Sequence, residues 1–148
     1  NLVHVGGGLL DVRREILVGN VSEGYLMITN GSVMARSTFK VGDGAASTGV
    51  VSVADGSLVA TGQITIANSG VGSMDISGGS VVGKNIFSIG GEAGSTGTVT
   101  ISGGALSSVS HMYVGTYGQG TLTQDGGTVR SAETSACRIA TRRSAPTP

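Results

Sequence analysis

The sequence predicts an all-β fold: a right-handed parallel β-helix, a three-sided β-solenoid of about six coils of 23–25 residues each. Three observations predict it. An aliphatic–Gly pair recurs along the chain as Val18-Gly19, Val41-Gly42, Ile66-Ala67, Ile89-Gly90 and Val114-Gly115, at spacings of 23, 25, 23 and 25 residues. Apolar residues alternate with polar ones between these pairs, the period of strands with one buried face. A two-residue corner ending in Gly also recurs, at Gly8, Gly31, Gly56, Gly79, Gly104 and Gly127. Self-similarity at a fixed period is the mark of a repeat architecture whose units bury their apolar faces only by stacking.

Each coil justifies its strands in order. The first strand carries two inward residues: Val3/Val5, Leu26/Ile28, Val51/Val53, Met74/Ile76, Val99/Ile101 and Leu122/Gln124, with Gln124 alone breaking the apolar pattern. The corner follows, its first position Gly, Asn or Asp and its second always Gly, residues that adopt positive φ at least steric cost. The second strand supplies Leu10, Val33, Leu58, Val81, Leu106 and Val129, then a row of mostly small residues: Val12, Ala35, Ala60, Gly83, Ser108 and Ser131. The third strand supplies Ile16, Phe39, Ile64, Phe87 and Met112, then the aliphatic of the recurring pair. The extra two residues of the long coils fall in one loop, DGAAST between Gly42 and Gly49 and GEAGST between Gly90 and Gly97. By alternation Phe87 faces inward and Ser88 outward.

Composition agrees with this core and bounds the rest. With five aromatics and no tryptophan among 148 residues, the interior must be filled by Val, Ile and Leu. Nine basic and nine acidic residues cancel, so no net field draws the chain to nucleic acid. No apolar run approaches the ~20 residues of a membrane-spanning helix, and a lone Cys137 forms no intrachain disulfide. Residues 1–137 hold the repeats; residues 138–148, with Arg138, Arg142, Arg143 and no acid, read as a basic, irregular tail.

The segments GSMDISGGSV (72–81), GTVTISGGAL (97–106) and GTLTQDGGTV (120–129) resemble the repeats of bacterial autotransporter (type V secretion) passengers and of PEP-CTERM-associated surface proteins. The likeness covers nearly all of residues 2–137. It implies a structural segment of a secreted or surface-displayed stalk or fibre, hence an extracellular or cell-surface location.

Candidate sites are few, and the expectation is a protein that is not an enzyme and needs no cofactor or metal. Gly78 to Asn85 is one residue short of a phosphate-binding loop, and its glycines belong to a corner and to the small inward row. Glycoside hydrolysis needs two carboxylates about 5–10 Å apart, whereas Asp75 faces outward between Ser52 and Thr100, Asp55 sits in a corner, and Glu23, Asp43 and Glu92 lie in loops. His4 and His111 fall four coils apart, too far to share a metal. Outward Thr98/Thr100 and Thr121/Thr123 form two threonine rows interrupted by Tyr25/Met27 and Ser73/Asp75. A carbohydrate-binding or carbohydrate-degrading β-helix is the alternative function; it would need adjacent carboxylates or an exposed aromatic platform, and the sequence offers neither.

Three surface features remain. Arg13, Arg36 and Lys84 share an outward row with Thr61. Met34, Val59 and Val82 form an apolar outward row, a candidate lateral contact stripe. The first strand, holding Val3 and Val5, begins partway through a coil without a cap, so its face is expected to be occupied by more of the same polypeptide or by an identical subunit stacked end to end.

Overall fold

A computed structural model describes residues 1–133 and 141–142. Coil 1 comprises β1 (Leu2–Val5), β2 (Leu9–Val12) and β3 (Ile16–Val18), and coil 2 comprises β4 (Glu23–Ile28), β5 (Gly31–Ala35) and β6 (Phe39–Val41). Coil 3 is β7 (Thr48–Val53), β8 (Gly56–Ala60) and β9 (Ile64–Ile66); coil 4 is β10 (Val71–Ile76), β11 (Ser80–Gly83) and β12 (Phe87–Ile89). In coil 5, β13 (Thr96–Ile101) precedes a single ten-residue strand, β14 (Ala105–Val114), which runs through the corner that breaks the earlier coils. Coil 6 contributes β15 (Gln119–Gln124) and β16 (Thr128–Glu133), and β17 (Thr141–Arg142) adds one more rung beyond β15. Every strand pairing is parallel, and three faces form, joined where β14 belongs to two of them. Among the described residues no helix is long and apolar enough to cross a membrane.

The register is the one the spacing predicts. Val3 pairs with Leu26, Leu26 with Val51, Val51 with Met74, Met74 with Val99 and Val99 with Leu122. The third-strand ladder runs Ile16, Phe39, Ile64, Phe87, Met112. Phe39 and Phe87 are the largest fully buried side chains. They stand two rungs apart with Ile64 between them, so bulky rings alternate with a smaller aliphatic along the axis, the arrangement that lets layers interdigitate without voids. Each buried aliphatic contributes roughly 1.5–3 kcal/mol. Gln124, the polar intruder in an inward row, donates its Nε2 to the Gly127 carbonyl at 3.0 Å, which satisfies one end of the amide.

The long loops stack on the axis instead of projecting from it. Asp43 N donates to Gly19 O, Asn68 N to Gly42 O, Glu92 N to Asn68 O and Thr116 N to Gly90 O. Ser47 and Ser95, both buried, close the two long loops by donating Oγ to Gly44 O and Glu92 O, each at 2.7 Å. The expected end of the repeats at Cys137 lies outside the described residues, as does the junction at Arg138. Within the basic segment, Thr141 and Arg142 pair with Leu122 and Thr123.

Candidate functional site

The corner glycines answer to backbone geometry. Gly8, Gly56, Gly79, Gly104 and Gly127 have φ between 68° and 93°. Gly31 is the exception and needs no positive φ; there a side chain would meet Val5 Cγ1 at 2.6 Å, so close packing of coil 1 against coil 2 explains that glycine instead.

The Met34, Val59, Val82 stripe is in register and continues into Asp11 at one end and Ser107 at the other. All three side chains are half-buried, lying against one another along the ladder instead of standing free. The basic row is broken by chemistry the spacing did not reveal. Arg36 donates Nε and one Nη to the two carboxylate oxygens of Asp11, both at 2.7 Å. The hydrogen bonds from Arg36, followed by its charge and that of Arg13, hold the Asp11 carboxyl below the usual carboxylate range. Arg36 is therefore committed to its neighbour on the adjacent coil.

The acids stay apart. Asp75 lies outward between Ser52 and Thr100, Asp55 accepts the Gly56 amide at 2.8 Å, and Asp43 is held by Asn68 Nδ2 at 2.9 Å and Lys40 Nζ at 3.4 Å. His4 lies 2.9 Å from Thr29 Oγ1 by its Nε2. No group of three or more His, Cys, Asp or Glu is placed to hold a metal among the described residues.

The end strand carries two different residues. Val3 is 51% exposed, but Val5 is 8% exposed and belongs to the core. All three strands of coil 1 are edges of their sheets. Leu2 and Leu9 are exposed beside Val3, and Leu10 and Ile16 are only partly buried. Val3, Leu10, Ile16, Val18 and Leu26 line a concavity of about 360 Å³ at this end.

A groove on the third face was not anticipated. Its floor is the outward row Thr65, Ser88 and Tyr113 on β9, β12 and β14. Alternation places Ser88 outward, which holds, but the expectation that an outward residue is exposed fails: Thr65 is 3% and Ser88 4% exposed. The reason is the stacked loops, which raise one wall through Asn68, Gly91, Glu92, Thr116 and Tyr117, while Gln63 and Ile86 form the other. The open groove has a volume of about 230 Å³. Gln63 Nε2 donates to Thr65 Oγ1 at 3.2 Å, and the hydroxyl of Thr116 is buried with no hydrogen-bond partner among the described residues. Tyr113 stacks on His111 with ring centroids 5.7 Å apart and planes 4° from parallel, and Tyr117 stands 77% exposed at the rim. The structure thus assembles an aromatic-edged surface where none was expected. Its only sequence signal is that two of the chain's three tyrosines lie within five residues of each other.

No family model, curated protein or solved structure matches this chain.

Proposed function

We propose that this chain is a structural segment of a secreted or surface-displayed bacterial stalk or fibre, and that the face of coil 1 is covered by another coil of the same kind. The observation that carries this reading is the end face itself: three parallel edge strands, each continuing a ladder of the core, with the inward-row residues Val3, Leu10 and Ile16 left incompletely covered. Unpaired strand edges and an apolar cross-section are a template for a further strand, and the strands that fit this register best are those of another such coil. The repeat resemblance to passenger domains supports the cell-surface location. In this reading the protein bears load and spacing, and catalyses nothing.

The covering coil comes either from the same polypeptide or from an identical subunit, and one experiment separates the two. If subunits stack, the concentrated protein forms fibres with a meridional reflection near the ~4.8 Å strand repeat. Val3→Lys then abolishes the fibres and leaves the melting of the middle coils unchanged. Val3 is the proper choice because its side chain belongs to the inward row and is still half exposed, whereas Lys at Val5 would bury a charge. A monomer that stays soluble at high concentration rules out stacking of identical subunits. Extending the chain by a preceding coil of the same repeat should then raise the melting temperature; no gain there would sink the structural reading.

A further inference from the structure

We infer that the groove of the third face is a binding site for a short stretch of neutral polysaccharide. This goes beyond the stalk reading, since the groove lies along the side of the rod and not at its end, and neither proposal needs the other.

The chemistry of the lining selects the ligand. The floor is built of Thr65 and Ser88, both nearly inaccessible, and the walls offer amides, from Gln63 and Asn68. Asn68 donates its amide hydrogen to Asp43, so its Oδ1 remains as an acceptor, on the side where Gly91 lies. Thr116 Oγ1 is a buried hydroxyl at the groove wall that lacks any partner, and a buried polar atom left unpaired carries a penalty that a ligand hydroxyl would remove. Tyr113 and Tyr117 add aromatic surface. A pyranose has this same mixed character, with C–H faces that lie on rings and a rim of hydroxyls that both donate and accept.

Other ligand classes fit less well. An anionic polymer needs cations, but among the described residues the one charged group lining the groove is Glu92, and Lys40, at the next rung, is held by Asp43. An extended peptide needs a free strand edge, whereas β9 and β12 are paired on both sides. A purely apolar ligand would leave the Thr116 hydroxyl unpaired. The lining spans three coils, about 10 Å along the axis by the strand spacing, a length suited to one or two sugar units of an extended chain.

The test uses the intact chain titrated with cellohexaose, laminarihexaose and chitohexaose as neutral probes, and with an oligogalacturonate as the acidic one. Calorimetry gives the affinity, and tyrosine emission gives a local readout, because the chain has no tryptophan and three tyrosines, two of them in the groove. At least one neutral probe should bind saturably and perturb tyrosine emission, with the acidic probe weaker. Tyr117→Ala should weaken binding by about tenfold or more at unchanged melting temperature, since the side chain is largely exposed. Thr116→Val separates binding from structure. It removes a hydroxyl that has no partner, so the unliganded protein should be as stable or more stable, while affinity for the sugar falls. Tyr25→Ala, on another face, should change neither. The inference is overturned if no neutral probe binds at millimolar concentration, if the oligogalacturonate binds tightest, or if Tyr117→Ala and Thr116→Val bind as the parent does.

Discussion

Ala67 stands where the other coils have a glycine, and it adopts φ 64°. Its counterparts Gly19, Gly42, Gly90 and Gly115 lie between 66° and 75°. The left-handed conformation costs an L-residue roughly 1–2 kcal/mol. Against that, Ala67 is fully buried and its methyl contributes about 0.8 kcal/mol. Replacing Ala67 by Gly should therefore change stability by less than about 1 kcal/mol, because relieved strain and lost burial nearly cancel. The reverse change at Gly42 is different, since a Cβ there would collide with the Val71 carbonyl at the start of coil 4 as well as forcing the strained φ. Gly42→Ala should cost upwards of about 2 kcal/mol in a denaturant titration. Equal effects at the two sites would contradict this account. Asp11 offers a second test. Its folded-state carboxyl is held below the ordinary value by Arg36, so the stabilisation from this pair is complete above the unfolded-state carboxyl range. It is lost as pH falls through the lowered folded value. Carboxyl titration followed by NMR should show Asp11 midway at a lower pH than a free aspartate, and Arg36→Ala should return it to the ordinary range.

At the scale of the element, the alternation of short and long coils has a packing counterpart. Coils 2 and 4 carry both the long loop and the phenylalanine, and coil 3 between them carries the short loop and Ile64. The unit of this solenoid is thus a pair of coils, with Phe39 and Phe87 in equivalent places 48 residues apart. Phe87→Asp puts an unpaired charge into a fully buried rung and should cost at least about 3 kcal/mol. Asp75→Ser, on an exposed rung of the first face, should stay within about 0.5 kcal/mol. Comparable thermal shifts for the two variants would mean that the inward and outward faces are misassigned. Ser88 would be a poor control for this comparison. It points outward, yet it is almost fully buried at the foot of the loop wall.

For the whole molecule, protection should follow the stacking. Val51, Val53, Met74 and Ile76 are sandwiched between coils and essentially inaccessible, whereas β1 has a neighbour on one side only. Amide hydrogen exchange of the isolated chain should accordingly be slowest in coils 3 and 4 and faster in coil 1. In a fibre of stacked subunits the amides of Leu2 and His4, which point away from coil 2, should become as slow as those of Val51 and Val53. Exchange in coil 1 that is the same in monomer and fibre would mean that fibres form through another surface.

Strand order, register and inward face were legible from the sequence because a stacked coil repeats its local pattern at a fixed interval. A side chain one repeat away is also its spatial neighbour. Phe39 beside Ile64, or Ser52 beside Asp75, needs nothing more than the period and the two-residue alternation. What the period cannot carry is anything formed between positions that occupy different rows. The grip of Arg36 on Asp11 joins two rows, and the buried state of Ser88 depends on loops that lie outside the strand pattern altogether. Whether those loops project or stack is set by hydrogen bonds such as Glu92 to Asn68, which exist only once the coils are assembled. The sequence by itself determined the rod and its core. Only the tertiary structure decided that one side of the rod is grooved and edged with tyrosine, because a groove is made by the height of its walls, and height comes from how the loops settle on one another.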